Sequence, residues 1–277
     1  MTTMPTCGSE QTISVTDLRG ITRTLLVPLA CRAIESVRPD AIIHDPRAVE
    51  VYNALGGSHD FLMGMSGHDL FAAAMRVRQF DAFARAFLDR HPGGLVVDIG
   101  CGLDTRFDRL DDSQMIWLGL DLPEVIDLRR QYLPDNDQCH TIARSMLDLT
   151  WLDEVAKIKR PVIFLAEGVF PYFSTSDVKP MLMVMVECFP AGELVFDAMT
   201  PFLGQLHKLN SSVLKQSSAQ IRWDAKNPAA LEAWGLLLLE RWGYFDKPEP
   251  RLGAASLMRY IPPLAHATYI LHYRLGK

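Results

Sequence analysis

Apolar and polar positions along the chain change their period near residue 93. Upstream, apolar residues recur at helical spacing. Leu18, Ile21, Leu25 and Leu29 mark a helix over residues 16–37, broken by Pro39 and Asp40. Residues 46–55 read as a second helix. Residues 68–90 read as a third, stopped by His91-Pro92-Gly93-Gly94. Residues 1–15 carry no such pattern and read as a loose tail.

Downstream, short β-type runs alternate with helical ones. Strands are expected over 95–100, 116–120, 141–146, 162–166 and 193–196, with helices around Phe107 and over 123–133, 151–158 and 176–188. Thr150 and Asp153 have capping-box spacing at the start of one of them. Strands alternating with helices build a mostly parallel sheet covered on both faces, an α/β doubly wound fold. Helical spacing returns over 201–217 and 228–234, and the chain closes on strand-like runs at 236–244 and 267–275, which bring the sheet to seven strands. No Ser/Gly linker interrupts this order, so residues 1–277 read as a single domain. It comprises an N-terminal helical cap (16–92), a ligand-binding core (93–199), a helical insertion (200–235) and a terminal strand pair (236–277).

The strongest motif is Leu95-Val96-Val97-Asp98-Ile99-Gly100-Cys101-Gly102-Leu103-Asp104-Thr105-Arg106, where a strand runs through Gly-x-Gly into a helix. Glycine lets the backbone turn sharply and approach a ligand closely. The carboxyl end of a central strand is where open α/β sheets bind ligands. A dinucleotide fingerprint needs a third glycine where Thr105 stands, and no Gly-x-x-x-x-Gly-Lys-Ser/Thr loop occurs. Around the glycines, three apolar strands each end in a carboxylate. Asp121 ends the second strand, 21 residues after Gly100; Asp148 ends the third and Glu167 the fourth. Such acids also serve as helix caps, but three of them converging on one sheet edge with a glycine loop read as a site. An acid at Asp121 can accept hydrogen bonds from both ribose hydroxyls, and Asp148 falls where an adenine amino group would lie. Acidic residues suit S-adenosylmethionine, which carries a sulfonium, an ammonium and one carboxylate but no phosphate. Phosphate ligands call instead for helix N-termini and basic side chains.

Several runs, in order along the chain, resemble the leucine carboxyl methyltransferase family. They are Ala33-Ile34-Glu35-Ser36, Arg38-Pro39-Asp40, His44-Asp45-Pro46, the glycine motif, Leu120-Asp121-Leu122-Pro123-Glu124-Val125, and Ala166-Glu167-Gly168-Val169 with Tyr172-Phe173. The bacterial branch that includes polyketide-tailoring O-methyltransferases is the most similar, over about residues 24–198. The resemblance implies a class I methyltransferase fold of Rossmann-like type with S-adenosyl-L-methionine as cofactor. It implies cofactor contacts at Asp98, Gly100 and Gly102, at Asp121 and Leu122 beside the ribose, at Asp148 and Leu149 beside the adenine, and at Glu167 and Gly168 near the methionyl end. It also implies an arginine on the helix before the glycine loop that binds the cofactor carboxylate. Arg76 matches that position best, with Arg78 as the fallback, and a guanidinium fork suits a carboxylate by charge and shape.

The chemistry so implied is direct displacement, with an oxygen nucleophile in line with the sulfonium methyl and positioning supplying most of the acceleration. A carboxylate acceptor needs no general base at neutral pH, whereas a phenol or alcohol gains from one. Tyr172, Arg106 and Arg222 are the candidates to orient an anionic acceptor. Residues 201–234 are the candidate lid. The expected function is O-methylation of a carboxylate or hydroxyl on a small secondary metabolite. The alternatives are methylation of a protein C-terminal carboxylate, or a cofactor-binding protein that has lost catalysis.

Composition narrows the setting. Of 277 residues, 48% are hydrophobic and 22% charged, enough for a sizeable core. A net charge of −5 argues against a nucleic-acid partner. Cys7, Cys31, Cys101, Cys139 and Cys188 are scattered without a CxxC pair, which fits reduced cytoplasmic thiols rather than a disulfide frame or zinc site. Residues 1–11 show no signal-peptide pattern, and the apolar runs are too short to span a bilayer, so no membrane partner is expected. The dipeptides His44-Asp45, His59-Asp60 and His68-Asp69 lack the convergent spacing of metal ligands. Cys101 reads as a buried thiol, and Met181, Met183 and Met185 read as core.

Overall fold

The computed structural model describes residues 25–57, 65–110, 112–199, 228–261, 265 and 267–276. The sheet is built from β1 (Leu95–Ile99), β2 (Ile116–Asp121), β3 (Cys139–Ala143), β4 (Val162–Ala166), β5 (Glu193–Met199), β6 (Leu236–Gly243) and β7 (Thr268–Leu275). These seven strands take the order β3-β2-β1-β4-β5-β7-β6. The first five run parallel, and β7 lies antiparallel between β5 and β6. The doubly wound, mostly parallel arrangement read from the sequence is therefore the one observed. The helices are α1 (Leu26–Ser36), α2 (Pro46–Ala54), α3 (Gly67–Arg90), α4 (Arg106–Leu110), α5 (Pro123–Tyr132), α6 (Trp151–Lys157) and α7 (Thr175–Cys188).

Strands β1 and β4 are apolar at nearly every position because both sheet faces are covered. The period of two decides which core each residue joins. Leu95, Val97 and Ile99 enter the layer with Trp151, Leu152, Met181 and Leu182 of α6 and α7. Val96 enters the opposite layer with Phe80, Phe83 and Phe87 of α3. Asp98 shares the face of Val96, so a carboxylate is carried into the α3 side of the core, where it is 2% exposed. A third cluster packs α1 and α2 against Leu103 and Leu128, which brings the N-terminal helices onto the chain that follows β1.

Local signals explain most boundaries. Asp45 caps α2 by accepting the N–H of Ala48, with Pro46 in the first turn. Capping boxes open α3 at Ser66/Asp69 and α7 at Ser174/Asp177. The box expected at Thr150/Asp153 does not form: Thr150 is already helical at φ −64°, ψ −15° rather than extended as a cap is, and its hydroxyl donates to Asp148 Oδ1 at 2.7 Å and accepts from Arg144 Nη1 at 2.8 Å. The third strand is Cys139–Ala143 rather than 141–146. Its partner β2 ends at Asp121, opposite Ala143, and leaves nothing beyond to pair with. Met146, whose apolarity suggested a longer strand, is instead buried from within a turn, its carbonyl bonded by Trp151 Nε1. Met181 and Met185 are core, but Met183 faces solvent at 43% exposure. The run before β6 is a 3₁₀ helix, Pro228–Trp234, bracketed by Pro228 and the positive φ of Gly235. The expected helix over 201–217, most of the candidate lid, and the helical start before residue 25 lie outside the described residues.

Cys31, Cys101 and Cys139 are buried free thiols and Cys188 an exposed one. No described helix is long and apolar enough to cross a membrane. Among the described residues, no three His, Cys, Asp or Glu side chains gather as a metal site.

One glycine tests the packing directly. A Cβ on Gly119 of β2 would lie 2.4 Å from the Trp117 ring and 2.8 Å from Cys101 Sγ. Gly119→Ala is expected to cost about 1–3 kcal/mol through this overpacking, read as a lower urea midpoint. An unchanged midpoint would show that the ring and thiol are loosely packed.

Candidate functional site

The parallel strands point their carboxyl ends to one edge, where the turn after β1, Asp121 of β2, Glu167 after β4 and Asp197 of β5 meet helices α3 and α4. Gly100 makes the turn at φ +70°, and any Cβ there would fall 2.4 Å from Val169 Cγ2, so only glycine fits. The N–H groups of Gly100 and Cys101 both donate to the Leu120 carbonyl, at 2.7 and 3.1 Å, which folds the loop against the end of β2. Cys101 is sealed beneath that loop, and burial pushes its thiol well up, which removes it as a nucleophile.

Asp121 is held from both sides. Its Oδ2 accepts the Gly102 N–H and its Oδ1 the Leu122 N–H, each at 2.8 Å. Burial pushes this carboxyl up, opposed by the same two N–H groups. Each oxygen keeps a lone pair for a further donor. The side chain of Leu122 is 37% exposed beside it. Asp148 is in the turn after β3, not at the strand end; its carboxylate is exposed and held below its ordinary range by Thr150. Leu149 packs against the core below.

Glu167 and Asp197 bracket Arg76 of α3. Arg76 Nε donates to Glu167 Oε1 at 3.0 Å, and Nη1 donates to Asp197 Oδ2 at 3.2 Å. Asp197 Oδ1 accepts the Gly168 N–H at 2.7 Å. Arg76 Nη2 makes no hydrogen bond to the described residues and lies 3.8 Å from where a Gly168 Cβ would stand. The 3₁₀ turn Phe170–Tyr172 brings Tyr172 to the charges of Arg76 and Asp197, and Tyr244 after β6 joins them. Burial pushes both phenols up, so both stay protonated.

Behind this rim lies a buried ionic scaffold that sequence reading missed. Arg106, the first residue of α4, has no exposed surface. Its Nε donates to Asp81 of α3 at 2.8 Å and its Nη2 to Glu167 Oε2 at 2.6 Å. Its Nη1 lies against Asp104 and 3.5 Å from Asp98, without hydrogen-bond alignment to either. Arg109 forks onto Asp81 at 2.8 and 3.1 Å and reaches Asp45 at 2.6 Å. Asp45 also accepts the Thr105 hydroxyl at 2.6 Å and pairs with Arg32 at 3.2 Å. Arg32 donates to the Leu103 carbonyl, and Arg129 donates to those of Gly102 and Asp104. The glycine turn is thereby hung from guanidinium groups on α1 and α5. Burial, reinforced by Asp104, pushes Asp98 well up, whereas Arg106 and Arg109 outweigh burial and hold Asp104 far down.

Of the residues singled out by sequence, Arg76, Glu167, Gly168 and Tyr172 come together, next to the turn of Gly100 and Gly102 with Asp121. Asp148 is exposed in the turn after β3. Arg106 was expected to orient an acceptor; with every donor turned into the scaffold, it has none to offer one and instead holds Glu167. Arg222 lies outside the described residues. Arg78 pairs with Glu249 at 3.2 Å, away from Glu167. Asp45 and Asp69 of the His-Asp dipeptides are helix-capping groups, and His59-Asp60 lies outside the described residues. The missed residues carried one signal: Asp81 sits between Phe80 and Phe83, a carboxylate inside an apolar helical stripe.

The donor set fits S-adenosylmethionine. Asp121 offers acceptors for a diol, Glu167 an anion for an ammonium, and Arg76 a free guanidinium nitrogen for a carboxylate. The Gly102 N–H at the turn is taken by Asp121, and that of Gly168 after β4 by Asp197, so neither is free for a phosphate.

Comparison with known proteins agrees. Residues 26–185, more than half of the chain, match the family described as Leucine carboxyl methyltransferase. The Tetracenomycin polyketide synthesis O-methyltransferase TcmP of Streptomyces glaucescens is 33% identical over 268 residues, 92% of this chain and 97% of that protein. The S-adenosyl-L-methionine-dependent methyltransferase dpfgK of Gibberella zeae is 28% identical over 78% of each chain. The crystal structure of a putative methyltransferase from Thermobifida fusca superimposes with a TM-score of 0.52 at 13% identity, covering 89% of this chain and 94% of that one, a likeness of fold. The chain belongs to the leucine carboxyl methyltransferase family, a family of S-adenosylmethionine-dependent methyltransferases with the class I fold.

Proposed function

We propose that the chain is an O-methyltransferase that moves the methyl of S-adenosylmethionine to a carboxylate or hydroxyl oxygen of a small, polyketide-like secondary metabolite, working in the cytoplasm. The observation that carries this reading is the edge of the sheet, where Asp121, Glu167 and Arg76 present a diol acceptor, an anion and one free guanidinium nitrogen around a glycine turn. The likeness to TcmP along nearly its whole length supports the acceptor class.

Bound there, S-adenosylmethionine supplies a methyl already activated on a sulfonium. The residues then bind and orient. Asp121 and Leu122 hold the ribose, with Asp148 and Leu149 beside the adenine. Glu167 takes the methionyl ammonium and Arg76 Nη2 the carboxylate. Asp98, Gly100, Gly102 and Gly168 shape the backbone between them. Arg106 acts through Glu167 as a positioning residue. Tyr172 and Tyr244 remain protonated and are suited to donate a hydrogen bond to an acceptor oxygen rather than to remove its proton. Arg222 is retained as a candidate acceptor contact.

Calorimetric titration with S-adenosylhomocysteine tests the cofactor. We expect a dissociation constant near micromolar, about 8 kcal/mol, with no heat from NAD. Asp121→Ala is expected to weaken binding by at least about tenfold, since charge-assisted hydrogen bonds of about 1.5–3 kcal/mol each are lost. No binding by folded wild-type protein would sink the reading. With a labelled methyl donor, transfer to polyketide acids or phenols is expected. Transfer only to peptide C-termini would overturn the small-molecule class.

The scaffold makes a separate prediction. Arg106→Ala leaves Asp81 and Glu167 without their shared cation and is expected to cost about 3–5 kcal/mol, measured by urea unfolding. A loss under about 1 kcal/mol, the range of exposed pairs, would mean that the cluster is wetter than its burial indicates.

A further inference from the structure

The cofactor assignments above give no task to Asp197, which pairs with Arg76. Asp197 is only 8% exposed. It shares the face of Val195 in β5, where the pattern of the strand would place another apolar residue. Burial pushes its carboxyl up, so the position is held against a cost. Its two oxygens are both committed: Oδ1 to the Gly168 N–H at 2.7 Å and Oδ2 to Arg76 Nη1 at 3.2 Å.

A guanidinium is planar, with donors in a fixed fork. Glu167 anchors Arg76 through Nε at 3.0 Å. One anchor leaves the plane free to swing about that bond. The second, from Asp197 on Nη1, fixes the plane and leaves Nη2 as the one nitrogen without a hydrogen bond to the described residues. The same carboxylate ties down the Gly168 N–H, so the turn after β4 and the arginine of α3 are set relative to each other by one side chain.

We propose that Asp197 is the positioning residue for Arg76, orienting its guanidinium so that Nη2 meets the carboxylate at the amino-acid end of the cofactor. Asp197 acts through Arg76 and makes no contact of its own with that end. The proposal rests on the assignment of Arg76 to the cofactor carboxylate.

Two ligands separate this role from a structural one. S-adenosylhomocysteine carries the amino-acid end; 5′-methylthioadenosine has the same nucleoside and thioether without it. Calorimetry on wild type, Asp197→Asn, Asp197→Ser, Arg76→Ala and Arg76→Ala/Asp197→Asn reads both. Asp197→Asn is expected to weaken S-adenosylhomocysteine by about tenfold and 5′-methylthioadenosine by less than about twofold. In the Arg76→Ala background it is expected to add less than about twofold, as for residues that act as one unit. Asp197→Ser keeps an acceptor near Gly168 without the charge and is expected to follow Asp197→Asn; it carries the test if the asparagine variant does not fold. Equal loss for both ligands, a loss that multiplies with that of Arg76→Ala, or no loss overturns the proposal. If Arg76→Ala leaves S-adenosylhomocysteine binding intact while Asp121→Ala abolishes it, the Arg76 assignment fails and the role of Asp197 fails with it. If Arg76→Ala weakens binding and both Asp197 variants do not, only the role of Asp197 is lost.

Discussion

Arg106 sits with no exposed surface among Asp81, Asp98, Asp104 and Glu167, and the geometry around the glycine turn follows from how that buried charge is satisfied. A guanidinium in the interior demands anions, and the anions come from separate elements: α3, β1, the loop before α4, and the end of β4. Each is thereby held at a fixed distance from the others. Such pairs add little net stability, because desolvation offsets most of their attraction. Their consequence here is geometric. Glu167 has one oxygen held by Arg106 and the other engaged by Arg76, so its position is set by the protein's own cations. Preorganisation of this kind suits a displacement in which alignment is the main thing a protein can supply.

The same scaffold explains why helices upstream of the nucleotide-binding core belong to the site. Arg32 of α1 and Asp45 at the cap of α2 reach the loop after β1, the first through the Leu103 carbonyl and the second through Thr105 and Arg109. Thr105 occupies the place where a dinucleotide fold would have its third glycine, and its hydroxyl is committed to Asp45. The departure from the fingerprint is thus a structural bond that ties the loop to the cap of α2.

The fold was legible because its strands obey simple rules: apolar runs of five or six residues, each followed by a helical stripe, can form little except a covered parallel sheet. Boundaries failed where a tertiary partner decided them. Residues 144–146 continue the β pattern, but β2 has ended by then. Thr150 has the spacing of a cap, but its backbone is already helical and Arg144 donates to its hydroxyl oxygen. Within the site, strand-end acids were visible because their place after an apolar run is a local signal. Asp81, Asp197, Arg109 and Arg129 were not, since nothing in the order of residues says that acids and arginines 25–121 positions apart will meet in the interior. The one available hint, a charge set inside an apolar stripe, marks a buried polar group without naming its partner.

The charges that meet around the turn also constrain what it can attract. Asp45, Asp81, Asp98, Asp104, Glu167 and Asp197 converge with Arg32, Arg76, Arg106, Arg109 and Arg129, six acids against five guanidinium groups. Burial and Asp104 push the Asp98 carboxyl well up. At the rim stands Asp121, whose oxygens each accept one backbone N–H and keep lone pairs in reserve. A ligand with two cationic centres and one carboxylate meets that rim favourably. A pyrophosphate would face carboxylates where it needs N–H groups, with those of Gly102 and Gly168 already engaged. The site's own acids have consumed two backbone donors that a dinucleotide's pyrophosphate would call on.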